Sequence, residues 1–321
     1  MANANADPAV RLIQLPLPAG LAPADELAAG LRAEPAHIAP KFFYDHLGSA
    51  LFTAITELDE YYPTRTEAGI FQVHAADMAA ELGRGGTLVD LGAGNCRKAA
   101  SLFGAFAPRR YVAVDISADY VGEALERLAP QHPAIEMWGV GHDFSRGPER
   151  PAALGDDAWT MFYPGSSVGN FTPAEALAFL RQARTAARGG GLLIGVDLVK
   201  PLPVLEAAYD DALGVTAAFN LNLLRHVNRL LGSDFDVAAW RHVALFNPAE
   251  SRIEMHLEAR RSQRVAWPGG ERRFAAGERI HTENSYKYSV DSFGALLRDA
   301  GFTRLRHWTD PRGWFAVFAA R

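Results

Sequence analysis

The stretch Val89-Asp90-Leu91-Gly92-Ala93-Gly94-Asn95-Cys96-Arg97-Lys98 carries residue types suited to holding a small polar ligand. An apolar strand stops at an acidic residue, and a Gly-x-Gly turn leads straight into a helix. Glycines allow a tight turn and a close backbone approach, and a helix N-terminus favours polar or anionic groups. A dinucleotide site would place a third glycine three residues after Gly94, where this chain has Arg97.

That departure points away from a nicotinamide or flavin and towards the related turn that binds S-adenosylmethionine (SAM). Asp115 closes the next apolar run, where folds of this kind place an acid that accepts from ribose hydroxyls. In His142-Asp143-Phe144 a carboxylate could take an adenine amino group while the aromatic ring stacks nearby. Taken singly, Asp115 reads equally as a turn or cap residue, and Asp143-Phe144 as ordinary surface. The ordered set of Gly92, Gly94, Asp115, Asp143 and Phe144 favours a SAM site. Lys98, on the first turn of the following helix, could reach the SAM carboxylate. Cys96 has no base partner and reads as packing.

These residues need a frame that brings strand ends together. Thr87–Leu91, Tyr111–Asp115, Trp159–Tyr163 and Leu192–Val199 are short apolar runs, as strands buried on both faces of a parallel sheet require. Between them lie helical patterns. The clearest starts at Thr172-Pro173-Ala174-Glu175, an N-cap, a first-turn proline and a capping-box glutamate, and stops at Gly189-Gly190-Gly191. The rhythm then changes. Val204–Leu231 predicts a long helix, with a break near Gly214. Arg252–Leu257 alternates strictly, and Ser262–Trp267 is expected to pair with it, Pro268-Gly269-Gly270 forming a turn. Asp291–Ala300 predicts a helix, followed by strands Thr303–Trp308 and Trp314–Ala320 that complete the first sheet.

Composition narrows the function. The 321 residues are 49% hydrophobic and 21% charged with a formal charge of −5, so nothing tracks a nucleic-acid backbone or an anionic membrane. A single cysteine excludes an internal disulfide and a Cys-rich metal site, and suits a reducing cytoplasm. The ten histidines lack metal-ligand spacing; His142, His226 and His242 read as capping or surface residues. Residues 1–8 have no signal-peptide pattern and are expected to be disordered. No apolar stretch is long enough to span a bilayer.

Several further segments belong together. They are Tyr44-Asp45-His46-Leu47-Gly48-Ser49-Ala50-Leu51-Phe52, Glu60-Tyr61-Tyr62-Pro63-Thr64-Arg65-Thr66-Glu67, and Phe162-Tyr163-Pro164-Gly165-Ser166-Ser167-Val168-Gly169-Asn170-Phe171. With them go Ala208-Tyr209-Asp210-Asp211, Gly214-Val215-Thr216-Ala217-Ala218-Phe219-Asn220, Arg252-Ile253-Glu254-Met255 and Thr282-Glu283-Asn284-Ser285-Tyr286-Lys287-Tyr288. From about Lys41 onward the chain resembles the SAM-dependent L-histidine Nα-methyltransferases of ergothioneine biosynthesis. The resemblance implies threefold methylation of histidine's α-amino group to hercynine, without a metal. It places Tyr61, Glu283 and Ser285 around the imidazole, and Asn170 and Tyr209 on the carboxylate. Tyr44 falls beside the amino group, and Phe52, Gly165 and Met255 at other pocket positions. Asn284 and Tyr286 match no pocket role.

The residue chemistry agrees with that assignment. In an extended segment Glu283 and Ser285 share a face, so a carboxylate and a hydroxyl can meet one ring. The expected fold is α/β: a Rossmann-like class I methyltransferase sheet with a terminal antiparallel hairpin, plus a second α+β substrate domain. Residues 68–200 and 288–321 are assigned to the SAM-binding domain, and 9–67 and 201–287 to the histidine-binding domain. The expected partners are L-histidine and its methylated forms, with no nucleic acid or membrane, for a cytoplasmic monomer. An N-methyltransferase of another amino acid such as tryptophan is the alternative, disfavoured because an apolar ring would leave Glu283 unpaired. A non-catalytic SAM-binding protein would be expected to have lost pocket groups, and all are present. A protein or nucleic-acid methyltransferase is disfavoured by the acidic balance.

Overall fold

The computed structural model describes residues 10–15, 22–116, 118–144 and 147–321, so the expected disorder of residues 1–8 lies outside the described residues. The apolar runs expected as buried strands become the middle of an eight-stranded sheet. Its strands are β1 (Val10–Gln14), β3 (Thr87–Leu91), β4 (Arg110–Asp115), β5 (Glu136–Gly141), β6 (Trp159–Tyr163), β7 (Gly191–Asp197), β13 (Leu305–Thr309) and β14 (Phe315–Ala320). They lie in the order β1-β5-β4-β3-β6-β7-β14-β13. The first six run parallel, and β14 is antiparallel to both β7 and β13. From β3 the chain first builds outward through β4 and β5, then crosses back to β6. That reversal leaves a crevice beyond the carboxyl ends of β3 and β6, where doubly wound sheets bind ligands.

Every residue of β3 is buried, as a strand covered on both faces must be. One face packs under α3 (Tyr62–Leu82), α4 (Arg97–Phe106) and α5 (Ala118–Leu128), through Ile70, Leu102 and Leu125. The other packs under α6 (Pro173–Ala187) and α9 (Val290–Asp299), through Phe179 and Leu297.

A second unit has its own core, in which Phe43, Phe219, Leu223, Trp240 and Leu257 are fully or almost fully buried. It contains α1 (Pro23–Arg32), α2 (His46–Thr56), α7 (Leu202–Ala207), α8 (Val215–Leu231) and a four-stranded sheet. The sheet strands are β2 (Ala36–His37), β8 (Trp240–Asn247), β9 (Arg252–Ala259) and β12 (Arg279–Tyr286), in the order β2-β12-β9-β8. The alternation read in β9 holds: Ile253, Met255 and Leu257 are buried towards the core.

Four details depart from the sequence reading or sharpen it. The expected pairing of Ser262–Trp267 with Arg252–Leu257 does not occur. Strand β10 (Gln263–Trp267) instead folds back on β11 (Gly270–Phe274) across the Pro268-Gly269 turn, because β9 is already paired on both edges by β8 and β12. Val10–Gln14, grouped with the substrate unit, is an edge strand of the large sheet on β5. Helix α3 runs unbroken through the expected boundary at 67/68. The 204–231 segment is interrupted: α7 ends at Ala207, and α8 starts where the Asp211 carboxylate accepts from the Val215 and Thr216 backbone N–H groups (2.9 and 2.7 Å).

The capping box at α6 forms as read. Thr172 Oγ1 accepts from the Glu175 N–H, and Glu175 accepts from the Thr172 N–H at 2.8 Å. Thr172→Ala is expected to cost about 1 kcal/mol. A urea-unfolding midpoint unchanged from wild type would show that this cap contributes nothing.

Candidate active site

The donor end of the crevice is built by the glycine turn. Gly92 and Gly94 have φ of +75° and +52°, in the left-handed region that favours glycine. A Cβ on Gly92 would press on the Phe144 ring at 3.4 Å, while one on Gly94 would face open space. Asp115 Oδ2 accepts from the Gly94 N–H at 3.0 Å, tying the end of β4 to the turn. Beneath it, Asp90 is buried and accepts from Tyr111 at 2.8 Å, and its Oδ1 has no partner. Burial pushes its carboxyl up to about 7, with the Tyr111 hydrogen bond working against that rise.

The structure brings Gly92, Gly94, Asp115 and Phe144 together as expected. Asp143 forms an ion pair with Lys41 at 3.0 Å, and Lys41 also meets Glu26 at 2.8 Å. Lys98 is engaged as well: its ammonium lies 2.7 Å from Glu67, a fully buried carboxylate on α3. The other Glu67 oxygen accepts from the Gly165 N–H at 2.8 Å. Glu67 therefore joins the helix after the glycine turn to the loop after β6. A Cβ on Gly195 would come within 2.0 Å of Glu67, so the sheet leaves room for this carboxylate only because a glycine stands there.

At the other end, aromatic rings form a connected lining. Tyr44 and Phe52 meet edge to face at 5.8 Å, Phe52 and Tyr61 at 6.2 Å, and Tyr61 and Tyr209 at 6.3 Å. Phe219 of α8 closes the group against Tyr44 (5.9 Å) and Phe52 (6.0 Å). The backbone around Tyr44 is fixed by its neighbours. Asp45 caps α2 by accepting from the Gly48 N–H at 2.7 Å, and a Cβ at Gly48 would collide with the Phe43 carbonyl.

Glu283 sits opposite Met255 in the β12–β9 register, just past a bulge at Thr282. Ser285 follows on the same face, and Tyr209 Oη lies 2.7 Å from Ser285 Oγ. Glu283 is only 8% exposed, and no described group donates a hydrogen bond to it. Burial pushes it up to about 7, and Lys287 pulls the other way. Its charge adds to burial in raising Tyr44, Tyr61 and Tyr209 well above the usual phenol range, so all three stay protonated around it.

Asn170 ends a short 3₁₀ turn, Ser167–Asn170, that lies against β12. The approach is close: a Cβ on Gly169 would meet the Tyr286 carbonyl at 2.9 Å. Asn284 and Tyr286 engage other partners, Asn284 Oδ1 accepting from His281 Nε2 at 2.8 Å and the Tyr286 hydroxyl accepting from Arg252.

Several residues escaped the sequence reading. Phe219, Glu67 and Lys287 lie inside quoted segments, yet nothing in their spacing assigns them partners. Asp197 and Lys200, three residues apart, form a buried cluster with Tyr62, which lies 135 residues before Asp197 in the chain. The histidines expected as caps or surface instead hold backbone carbonyls. His142 bonds Gly147 O, His226 bonds Phe42 O, and His242 bonds Tyr209 O at 2.8 Å while receiving Asn220 on its other nitrogen. Among the described residues no cluster could hold a metal ion, and no helix is long and apolar enough to cross a membrane.

Residues 23–321 match the family described as histidine-specific, SAM-dependent methyltransferases. The chain belongs to that family. It is 43% identical to the histidine N-alpha-methyltransferase of Mycolicibacterium smegmatis, covering 92% of this chain and 93% of that protein. It is 40% identical to the protein of the same name from Mycobacterium tuberculosis, with the same coverage. Ergothioneine biosynthesis protein 1 of Neurospora crassa is 28% identical over 86% of this chain, which spans 32% of that longer protein.

For this histidine-specific methyltransferase the donor site fits SAM. Gly94 leaves an open floor, the Phe144 ring lies against Gly92, and Asp115 holds the turn from the end of β4.

The buried Glu283 also sets a pH dependence of stability. Its carboxyl shifts from an ordinary 4.5 to about 7 on folding. Between those values the folded protein keeps a proton that the unfolded chain releases, so this group lowers stability as pH rises through that window. Ligand-free Glu283→Gln is expected to be more stable than wild type near pH 8, with the difference closing towards pH 4. Equal urea midpoints at the two pH values would show that Glu283 is not held in a desolvated site.

Proposed function

We propose that this enzyme transfers three methyl groups in turn from SAM to the α-amino nitrogen of L-histidine, giving hercynine for ergothioneine biosynthesis. The observation that carries the reading is Glu283: a buried carboxylate without a described donor, beside Ser285 and ringed by Tyr44, Tyr61 and Tyr209. An imidazole N–H supplies what that carboxylate lacks. A wrong ring leaves it unpaired, at a cost of about 1–3 kcal/mol for each unsatisfied polar group.

In this reading Gly92, Gly94, Asp115, Asp143 and Phe144 hold SAM, and Lys98 lies near its amino-acid end. Bound SAM supplies an electrophilic methyl group on a sulfonium with a good neutral leaving group. The chain's own contribution is then placement, and orienting two reactants can be worth roughly 7–11 kcal/mol. Glu283, Ser285 and Tyr61 grip the imidazole, while Asn170 and Tyr209 take the carboxylate. Phe52, Gly165 and Met255 shape the walls.

The attacking amine must be unprotonated, and a desolvated aromatic site favours the neutral form. Tyr44 is partly buried and stays a phenol, so it serves as an acceptor that aims the nitrogen lone pair rather than as a base. Solvent takes each released proton. The reading is of a monomeric cytoplasmic enzyme in which the unit built from α1, α2, α7, α8 and the four-stranded sheet holds histidine, and the eight-stranded sheet with its flanking helices holds SAM.

The test is a mass-spectrometric assay of purified protein with SAM against all twenty amino acids. Histidine is expected to gain three methyl groups, and Glu283→Ala to abolish turnover. Methylation of another amino acid with histidine inert would sink the substrate assignment while keeping the chemistry. In the same assay Tyr44→Phe is expected to change the mono-, di- and trimethyl product ratios, because the number of amine N–H bonds falls at each step. Unchanged ratios would remove Tyr44 from the aiming role.

A further inference from the structure

Lys287 directly follows the polar face of β12 and has no exposed side-chain surface. Three oxygens surround its ammonium: Ser285 Oγ at 2.6 Å, Tyr209 Oη at 3.1 Å and Asp197 Oδ2 at 2.9 Å. The two hydroxyl oxygens are themselves 2.7 Å apart.

Counting protons and lone pairs gives a definite result. A hydroxyl has one hydrogen and two acceptor positions, whereas an ammonium can only donate. Lys287 therefore fills one acceptor position on Ser285 and one on Tyr209. Their mutual contact uses one hydroxyl hydrogen and one further acceptor position. If Tyr209 donates, both acceptor positions of Ser285 are full and its hydrogen must leave the pair. If Ser285 donates, the same holds for Tyr209. Either way, one O–H is turned outward, on an oxygen that can no longer accept, and the pair keeps a single acceptor position, on the other oxygen. The tyrosine cannot ionise to escape this count, since burial with the Asp197 and Glu283 charges holds it protonated.

From this geometry we infer that Lys287 is a positioning residue that fixes the Tyr209–Ser285 pair as a hydrogen-bond donor to the substrate, opposite Glu283 as acceptor. The inference rests on the histidine reading above and changes one part of it: the pair's single free hydrogen goes to the ring, so Tyr209 has none left for the carboxylate, which falls to Asn170. A pocket offering one enforced donor and one carboxylate selects a ring with one lone pair and one N–H, which is neutral imidazole. A ring that can only donate, or can do neither, leaves at least one of the two unpaired. Without Lys287 the hydroxyls would be free to rotate, and the pair could present either an acceptor or a donor.

Lys287→Met tests this without stranding a charge, because Asp197 keeps Lys200 at 2.6 Å and the Tyr62 hydroxyl at 2.6 Å. The expected result is a histidine KM raised tenfold or more, a smaller change in kcat, and an unchanged Kd for SAM. Combined with Ser285→Ala, the two losses should overlap rather than multiply, since one acts through the other. A purely structural lysine would lower Tm, yet its effect would multiply with that of Ser285→Ala. A histidine KM within twofold of wild type, or fully multiplicative losses, would overturn the inference. If Lys287→Met does not accumulate folded, Lys287→Gln keeps a donating amide and is put through the same cycle, with multiplicative losses again the contrary result. Wild-type protein inert towards histidine would bring down the functional reading and this inference together, whereas active wild type with an unaffected Lys287→Met would bring down this inference alone.

Discussion

The pocket depends on one buried carboxylate, Asp197, at the end of β7. Its oxygens meet Lys200 at 2.6 Å, Lys287 at 2.9 Å and the Tyr62 hydroxyl at 2.6 Å, and its backbone N–H donates to Ser166 Oγ at 2.8 Å. Those partners come from four places: the segment after β7, the end of β12, the start of α3 and the loop after β6. Burial alone would raise this carboxyl, but Lys287 and Lys200 hold it below the usual range, so it remains an anion. Removing Asp197 itself would leave buried ammonium groups without a counter-charge, a loss of about 3–5 kcal/mol. The large sheet and the substrate unit are thus joined at their seam by charge, at the point where the pocket forms.

A second buried carboxylate links the two ends of the crevice. Glu67 receives Lys98 from the donor side and the Gly165 N–H from the loop that also carries Asn170. Because α3 is one continuous helix, Tyr61 at its N-cap, Tyr62 on Asp197 and Glu67 on Lys98 move as one body. Donor turn, substrate wall and sheet end are therefore held to one rigid element. An in-line transfer needs this, because its rate falls steeply with misplacement of the reacting atoms.

Local signals were legible in the sequence wherever chemistry is local. The parallel strands announced themselves as apolar runs, the glycine turn by its left-handed positions, and α6 by its capping box. The glycine turn and the acids at the strand ends could be picked out because they fall in a fixed order. Other features depend on contacts that no spacing encodes. The β10–β11 hairpin exists because β9 has no free edge, a fact of the sheet rather than of either strand. Val10–Gln14 is too short and too far from β5 to reveal its partner. Glu67, Asp197, Lys200 and Lys287 read as ordinary charges until the fold removes water from them. The three histidines on Phe42, Gly147 and Tyr209 carbonyls likewise gain their role only from backbone groups that the fold buries.

Asp197 and Glu283 show how one side-chain chemistry serves two tasks. Both are buried carboxylates near Lys287, and burial drives both upward. Asp197 has two ammonium groups and a phenol to offset that cost, so its charge is permanent and structural. Glu283 has only the distant pull of Lys287, so its charge is poorly supported in the empty pocket. Pairs of acids whose environments separate their proton affinities in this way mark a division of labour. In the proposed reading, a ligand N–H supplies to Glu283 what Lys200 and Tyr62 supply to Asp197. Binding energy is then released only by a ligand that brings the missing donor, and selectivity follows from leaving that one carboxylate unsatisfied.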